Sequence, residues 1–252
     1  MRSAVKATTP QPTPRAWPWQ LRQRSDKLEL LDAPEISREA LFQNLRELEK
    51  INTLLGGYGP TLQALERLLT APTNPQGEPW RILDVGCGGG DTLVQIHCWA
   101  RRQGIQVCLT GLDLQADCIA YARQYYGHLP IEWIQADYRE LQPETHPVDV
   151  VTCALFCHHL SAAQLQHFLR WLPTVARHGF VINDLHRHGL AYYAIDLISR
   201  WPGCSRLFRN DARLSVWRGA RRREWLQALA QAELQAHLHW AWAFRWLVWG
   251  RV

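Results

Sequence analysis

The sequence predicts an α/β domain of the doubly wound kind, a mostly parallel sheet with helices on both faces. Three observations carry that expectation. From Trp80 onward, short apolar runs alternate with helical patterns of ten or more residues, the signature of βαβ units. The first run passes through a glycine-rich loop straight into a helix, reading WRILDVGCGGGD from Trp80 to Asp91. Acids stand at or just past the C-terminal ends of four predicted strands: Asp84, Asp113, Asp137 and Asp184.

In chain order, the first stretch is proline-rich and aperiodic, and residues 1–28 are expected to be a disordered or loosely docked arm. Residues 29–75 read as a helical cap. A helix is expected to begin near Asp32, with Asp32 and Pro34 as start signals. Its apolar positions Leu41, Leu45, Leu48, Ile51 and Leu55 recur at helical spacing, and Gly56 and Gly57 stop it. A second helix carries Leu62, Leu65, Leu68 and Leu69. The main domain then spans 78–252. After the glycine loop come a helix from Asp91 to Gln103, a strand Val107–Asp113, a helix Ala116–Tyr126, and strands Ile131–Gln135 and Val148–Ala154. Ser161 with Gln164 three residues on forms a capping box for the next helix. A fifth strand covers Gly179–Asn183, followed by a helix near Leu190–Trp201, a loop containing Asn210 and Asp211, and a helix from Arg221 to Ala232. Alternation in HLHWAWAFRWLVWGRV predicts a terminal hairpin.

Composition excludes several classes. At 252 residues the chain suits one domain with an extension, and a net charge of +5 is mild and scattered. No apolar run reaches the roughly 18 residues a membrane span needs. The seven cysteines lack C-x-x-C pairs and zinc spacing, so no metal centre is expected and a reducing cytoplasm fits best.

Ligands of open parallel sheets bind along the C-terminal edge of the strands, so the four acids converge on one crevice with Cys157, His158 and His159 after the fourth strand. The glycine loop does not spell a dinucleotide fingerprint, because Asp91 stands where the third glycine belongs. No Gly-Lys-Ser/Thr follows, which excludes a Walker loop. Asp113, a little over 20 residues beyond the loop, is placed to accept hydrogen bonds from ribose hydroxyls.

Asp84 to Gly90 reads D-x-G-x-G-x-G, which resembles motif I of the class I S-adenosylmethionine (AdoMet) methyltransferases. That resemblance implies a Rossmann-like, seven-stranded sheet closed by the hairpin. It places Gly86, Gly88 and Gly90 under the methionine part of the cofactor, with Asp84 helping to hold its ammonium. It sets Asp137, with Ala136 and Tyr138, against the adenine amino group. Cys87, Leu114 and Leu155 would also border the cofactor. NLRELEKINTLLGGY looks like the helices that cap the cofactor in such enzymes, which brings in Tyr58 and Asn52.

The strand-4 segment decides the expected chemistry. ALFCHHL lacks the Asp/Asn-Pro-Pro-Tyr of amino-group methylation on nucleic acids, and no cysteine follows a proline as pyrimidine C5 methylation requires. CHHLSAAQLQHFL is similar to the segment of phenolic O-methyltransferases in which a His removes the acceptor's proton. His158 takes that position, His159 stands beside it, and His186 in NDLHRH is the rival base. The expectation is methyl transfer to oxygen of a small aromatic or polyketide-type acceptor by a monomer or homodimer. There is some similarity to bacterial methyltransferases that accompany type III polyketide synthases. A C-methyltransferase of a quinone-like molecule, a nicotinamide-dependent oxidoreductase and a non-catalytic AdoMet-binding protein remain compatible with the pattern.

Overall fold

The computed structural model describes residues 13–32, 36–142 and 144–252. Two helices lead, α1 (Arg38–Leu54) and α2 (Gly59–Leu68). The alternating body follows: β1 (Trp80–Val85), α3 (Asp91–Gln103), β2 (Val107–Asp113), α4 (Ala116–Tyr126), β3 (Ile131–Gln135), β4 (Val148–Ala154), α5 (Ala162–Val175) and β5 (Ala176–Leu185). The chain closes with α6 (Gly189–Ile198), α7 (Arg206–Arg218), α8 (Arg222–Gln231), β6 (His237–Ala241) and β7 (Arg245–Gly250).

Among the described residues one seven-stranded sheet forms, ordered β3-β2-β1-β4-β5-β7-β6. Strands β1 to β5 are parallel, whereas β7 runs antiparallel to β5, and β6 to β7. The mixed, Rossmann-like α/β sheet expected from the sequence is therefore present, hairpin included. Period-two alternation explains the layers. Leu83, Val85 and Val151 face one core with Leu169 and Trp225, while Ile82, Val150 and Val181 face the other with Leu65, Leu93 and Ile96. Strand order reverses between β1 and β4, which opens a crevice at their C-terminal ends.

Three boundaries differ from the sequence reading. The first long helix starts at Arg38, because the Ser37 side chain accepts the Ala40 N–H and caps it. Asp32 instead ends a short 3-10 turn, and Pro34 lies outside the described residues. The loop expected around Asn210 and Asp211 is helix α7, capped by Ser205. Those two polar residues are buried because they receive the N-terminal arm: Asn210 Oδ1 accepts from Thr13 N–H at 2.6 Å, and Asp211 accepts from the N–H groups of Leu30 and Leu31. The fifth strand is longer than Gly179–Asn183, since β7 pairs along it as far as Leu185.

Of residues 1–28, the first twelve lie outside the described residues, but from Thr13 the chain is docked. Ala16 and Leu21 are buried against Tyr192, Leu214 and Trp217, and the Ala16 N–H donates to Tyr192 Oη at 2.8 Å. No helix among the described residues is long and apolar enough to cross a membrane.

Candidate active site

The glycine loop after β1 forms the floor of a cleft of about 570 Å³. The N–H groups of Gly86 and Cys87 both donate to Leu112 O, tying the loop to β2. Two glycines are required on steric grounds. Gly86 (φ +67°) and Gly90 (φ +88°) are in the left-handed region, and a Cβ on either would overlap an aromatic ring, Phe156 and Trp133 respectively. Gly86, Cys87 and Gly88 line the cleft as expected. Gly90 does not: it turns the chain into α3 against Trp133, so it is a packing residue.

Five acids, Glu49, Asp84, Asp91, Asp113 and Asp137, line an otherwise largely apolar cleft. Asp84, 1% exposed, accepts a hydrogen bond from Thr152 Oγ1 at 2.7 Å. Burial pushes its pKa up to about 7; the Thr152 bond opposes this, and the nearby Asp91 and Asp113 add to it. Asp113 is also raised by burial, against the Gln115 and Gly88 N–H groups, each 2.9 Å from one of its oxygens. These bonds fix the carboxylate at the end of β2.

Leu114, Ala136, Tyr138 and Leu155 line the cleft where the sequence places them. Leu155 holds φ +56°, a strained position for leucine, with its N–H donated to Asn183 O at 2.9 Å. Asp137 is at the rim, and its side chain is engaged by Arg139, whose hydrogen bonds hold it below the usual carboxylate range. Tyr58 corrects the sequence reading. It is buried outside the cleft and donates to Asp91 Oδ2 at 2.6 Å, so it acts on the site through that acid. Asn52 lines the cleft, donating to Asp91 and accepting from Arg245 at 2.8 Å.

The three histidines part company. Beyond β4 a 3-10 turn, Cys157–His159, carries two neighbouring imidazoles, ring centroids 4.3 Å apart, of which one meets the cleft. His159 lines the cleft. His158 points behind it and is buried: its Nδ1 lies 2.7 Å from Asp184 Oδ1, its backbone N–H donates to Asp184 Oδ2 at 2.8 Å, and its Nε2 is 3.7 Å from Glu29 Oε1. Burial alone would raise Asp184, but the His158 charge and hydrogen bonds outweigh it and hold the acid below its ordinary value. His186 lies outside the cleft among His188, Phe244 and Trp246, because β7 covers the end of β5. Its half-buried ring is pushed down to about 4 by burial and then by His188, Arg221 and Arg187.

Residues 82–179, which hold the loop and the histidine turn, match the family model for a methyltransferase domain. The structure is similar to that of the plantazolicin methyltransferase BpumL in complex with SAH, with a TM-score of 0.58 at 16% identity over 84% of this chain and 93% of that one. It is also similar to the magnesium protoporphyrin IX methyltransferase ChlM from Synechocystis PCC 6803 with bound SAH, at a TM-score of 0.50 and 14% identity over 77% of this chain and 83% of that one. The fold is that of a class I methyltransferase. In sequence, 61 residues are 39% identical to the 2-phytyl-1,4-naphtoquinone methyltransferase of Synechocystis, a match over 23% of this chain and 24% of that protein. The chain thus spans about a quarter of the length of that curated relative.

Within this methyltransferase fold, several site residues escape sequence reasoning. Asp91 is visible only as the residue that breaks a dinucleotide fingerprint, and Glu49 only as the residue one helical turn before Asn52. Arg24 and Arg218 carry no local signal at all. Yet Arg24 Nη2 donates to the carbonyls of Cys157, His158 and Leu160, and Arg218 to those of His158 and His159. Two guanidiniums on the carbonyl end of a short turn satisfy its orphan acceptors and lock the histidines in place.

Proposed function

We propose that the chain is an AdoMet-dependent methyltransferase acting on the oxygen of a small aromatic or polyketide-type acceptor, with the imidazole pair after β4 ionising the acceptor hydroxyl. The observation that carries this reading is the acid-lined cleft over the glycine loop, with His159 on its wall. Charge separates the rival cofactors. AdoMet is a sulfonium and an ammonium, and Glu49, Asp84, Asp91 and Asp113 favour both. A nicotinamide dinucleotide would press its pyrophosphate against the same carboxylates, and so would a nucleic-acid backbone. The fold's solved neighbours with bound SAH support the same cofactor.

The chemistry asks little of the protein beyond alignment, since the sulfonium is already activated. Orientation of donor and acceptor supplies roughly 7–11 kcal/mol of the barrier, and a positioned base a further ~10²–10⁴-fold. Asp84 takes the ammonium. Asp113, fixed by its backbone bonds at the end of β2, accepts the ribose hydroxyls with the lone pairs those bonds leave. Asp91 and Glu49, held by Tyr58 and Tyr126, add negative potential along the donor. His159 faces the acceptor, and His158 supports it from behind.

A quinol- or quinone-like acceptor is the second reading, favoured by the 39% match to the naphthoquinone enzyme. Product analysis separates transfer to oxygen from transfer to carbon. The cofactor claim is tested by calorimetry: the protein binds AdoMet and SAH, and NAD and NADP leave no signal. Asp113→Ala lowers AdoMet affinity ten-fold or more, because bonds to a charged acceptor are worth roughly 1.5–3 kcal/mol each. Nicotinamide binding without AdoMet binding refutes the reading.

A further inference from the structure

Glu29 follows directly on the arm, and its carboxylate is buried behind the cleft, 3.7 Å from His158 Nε2. That gap is longer than a hydrogen bond. It matches the spacing of two donors bound to one ion, since ligands at about 2.0–2.2 Å stand roughly 3.3–4 Å apart at tetrahedral or wider angles. His159 completes the group: donor atoms of Glu29, His158 and His159 all lie within 4.8 Å of one another. The two imidazoles sit side by side, ring centroids 4.3 Å apart.

We propose that Glu29, His158 and His159 form a binding site for a divalent transition-metal ion behind the part of the cleft wall that His159 lines. The surroundings are those of a metal site. Asp184 accepts Nδ1–H of His158, which leaves the Nε2 lone pair directed at Glu29, the carboxylate–imidazole pairing that orients metal-bound histidines. Ser215 Oγ donates to Glu29 Oε1 at 2.9 Å and fixes the carboxylate. Arg24 and Arg218 hold the histidine turn rigid from its carbonyl side, with N–H donors bound to its backbone oxygens. Three protein donors leave a fourth tetrahedral position unfilled, and His159 connects the group to the cleft wall, the donor count of a reactive rather than a purely structural site. Imidazole and carboxylate together suit zinc, iron(II), cobalt(II) or manganese(II).

The role of the ion rests on the transferase reading, whereas its binding does not. A hydroxyl of the acceptor fills the open position, its oxygen binds the ion, and its O–H proton passes to water in the cleft, because a bound cation lowers the pKa of a coordinated hydroxyl. With the ion bound, the two imidazoles act as its ligands rather than as bases, and oxygen acceptors are selected.

The test uses the full chain stripped with a chelator, titrated with zinc(II) by calorimetry and with cobalt(II) by visible absorption. One tight equivalent is expected, with cobalt bands of a four-coordinate nitrogen–oxygen site. Glu29→Gln and His159→Ala each weaken binding at least about ten-fold, and Asp184→Asn weakens it about 10–100-fold. His237 and His239, stacked at alternate positions of β6, form the rival surface site, and His237→Ala leaves the tight equivalent untouched. Absence of a stoichiometric ion, equal affinity in Glu29→Gln and His159→Ala to that of the wild type, or loss of the ion in His237→Ala overturns the site. Should Glu29→Gln fail to fold, the partly exposed His159→Ala decides alone. AdoMet titrated in parallel keeps the two readings apart: AdoMet binding without the ion overturns the site alone, and the ion without AdoMet overturns the transferase alone.

Discussion

Replacing Asp84 with asparagine should stabilise the free protein and disable it together. The carboxyl is buried and lifted from 3.8 to about 7, so in the fold its neutral form is favoured. An acid whose folded pKa lies above its unfolded one binds more protons folded than unfolded between those values, so stability falls as pH rises through that window. The penalty is absent below about pH 4, grows toward pH 7, and is fully present above it. A shift of this size corresponds to roughly 4 kcal/mol at pH 8 as an upper figure. The Asp84→Asn side chain keeps an oxygen for the Thr152 hydroxyl and carries no charge, so the penalty disappears. For a chain of this size each kcal/mol moves Tm by about 2–4 °C, so Asp84→Asn should melt several degrees above wild type at pH 8. The difference should close as pH falls toward 4. In the wild type the cationic cofactor gives the buried charge its partner. Loss of that charge-assisted contact, worth roughly 1.5–3 kcal/mol, lowers AdoMet affinity about ten- to hundred-fold. Thermal melts between pH 4 and 8 and calorimetry with AdoMet read both effects. A Tm difference that ignores pH, or unchanged AdoMet affinity, refutes the reasoning.

Three further outcomes follow from the geometry. His159→Ala should lower kcat about 10²-fold or more with AdoMet affinity unchanged, while His186→Ala, outside the cleft, leaves turnover near wild type; steady-state kinetics on an identified acceptor decides, and the reverse order moves the ionising group to the segment just past β5. Gly90→Ala should destabilise by about 1–3 kcal/mol through its positive φ and the Trp133 ring, read as a fall in Tm; a mutant as stable as wild type refutes the packing role. Arg24→Ala should free the arm from the histidine turn, increase proteolysis around residues 13–32 and reduce kcat while AdoMet still binds; unchanged turnover removes Arg24 from the positioning machinery.

The body of the fold is legible because its signals are local. Strand β1, the glycine loop and α3 are written in one twelve-residue stretch, and Ser161 with Gln164 makes its capping box within four residues. Cleft-lining residues adjacent to those signals, from Asp84 to Leu155, are therefore readable. What escapes is long-range. Asn210 and Asp211 look like loop residues until an arm nearly two hundred positions away supplies N–H groups for their side chains, and then they sit comfortably inside a helix. The arm's own composition argues for disorder, and only its bonds to Tyr192, Asp211 and the histidine turn say otherwise.

The different placement of His158 and His159 shows why a site is harder to read than a fold. A sequence that places two consecutive histidines at the right edge leaves open which one meets the ligand, since here the rings lie only 4.3 Å apart and one alone lines the cleft. Orientation is set by groups the sequence scatters: Arg24 and Arg218 grip the turn's carbonyls, Glu29 approaches from the arm, and Asp184 reaches across from β5. By position alone the four acids at the strand ends are equivalent contributors to one crevice. Asp84, Asp113 and Asp137 do face it, but Asp184 faces an imidazole instead, and that single difference turns His158 from the residue in the cleft into the residue that supports it.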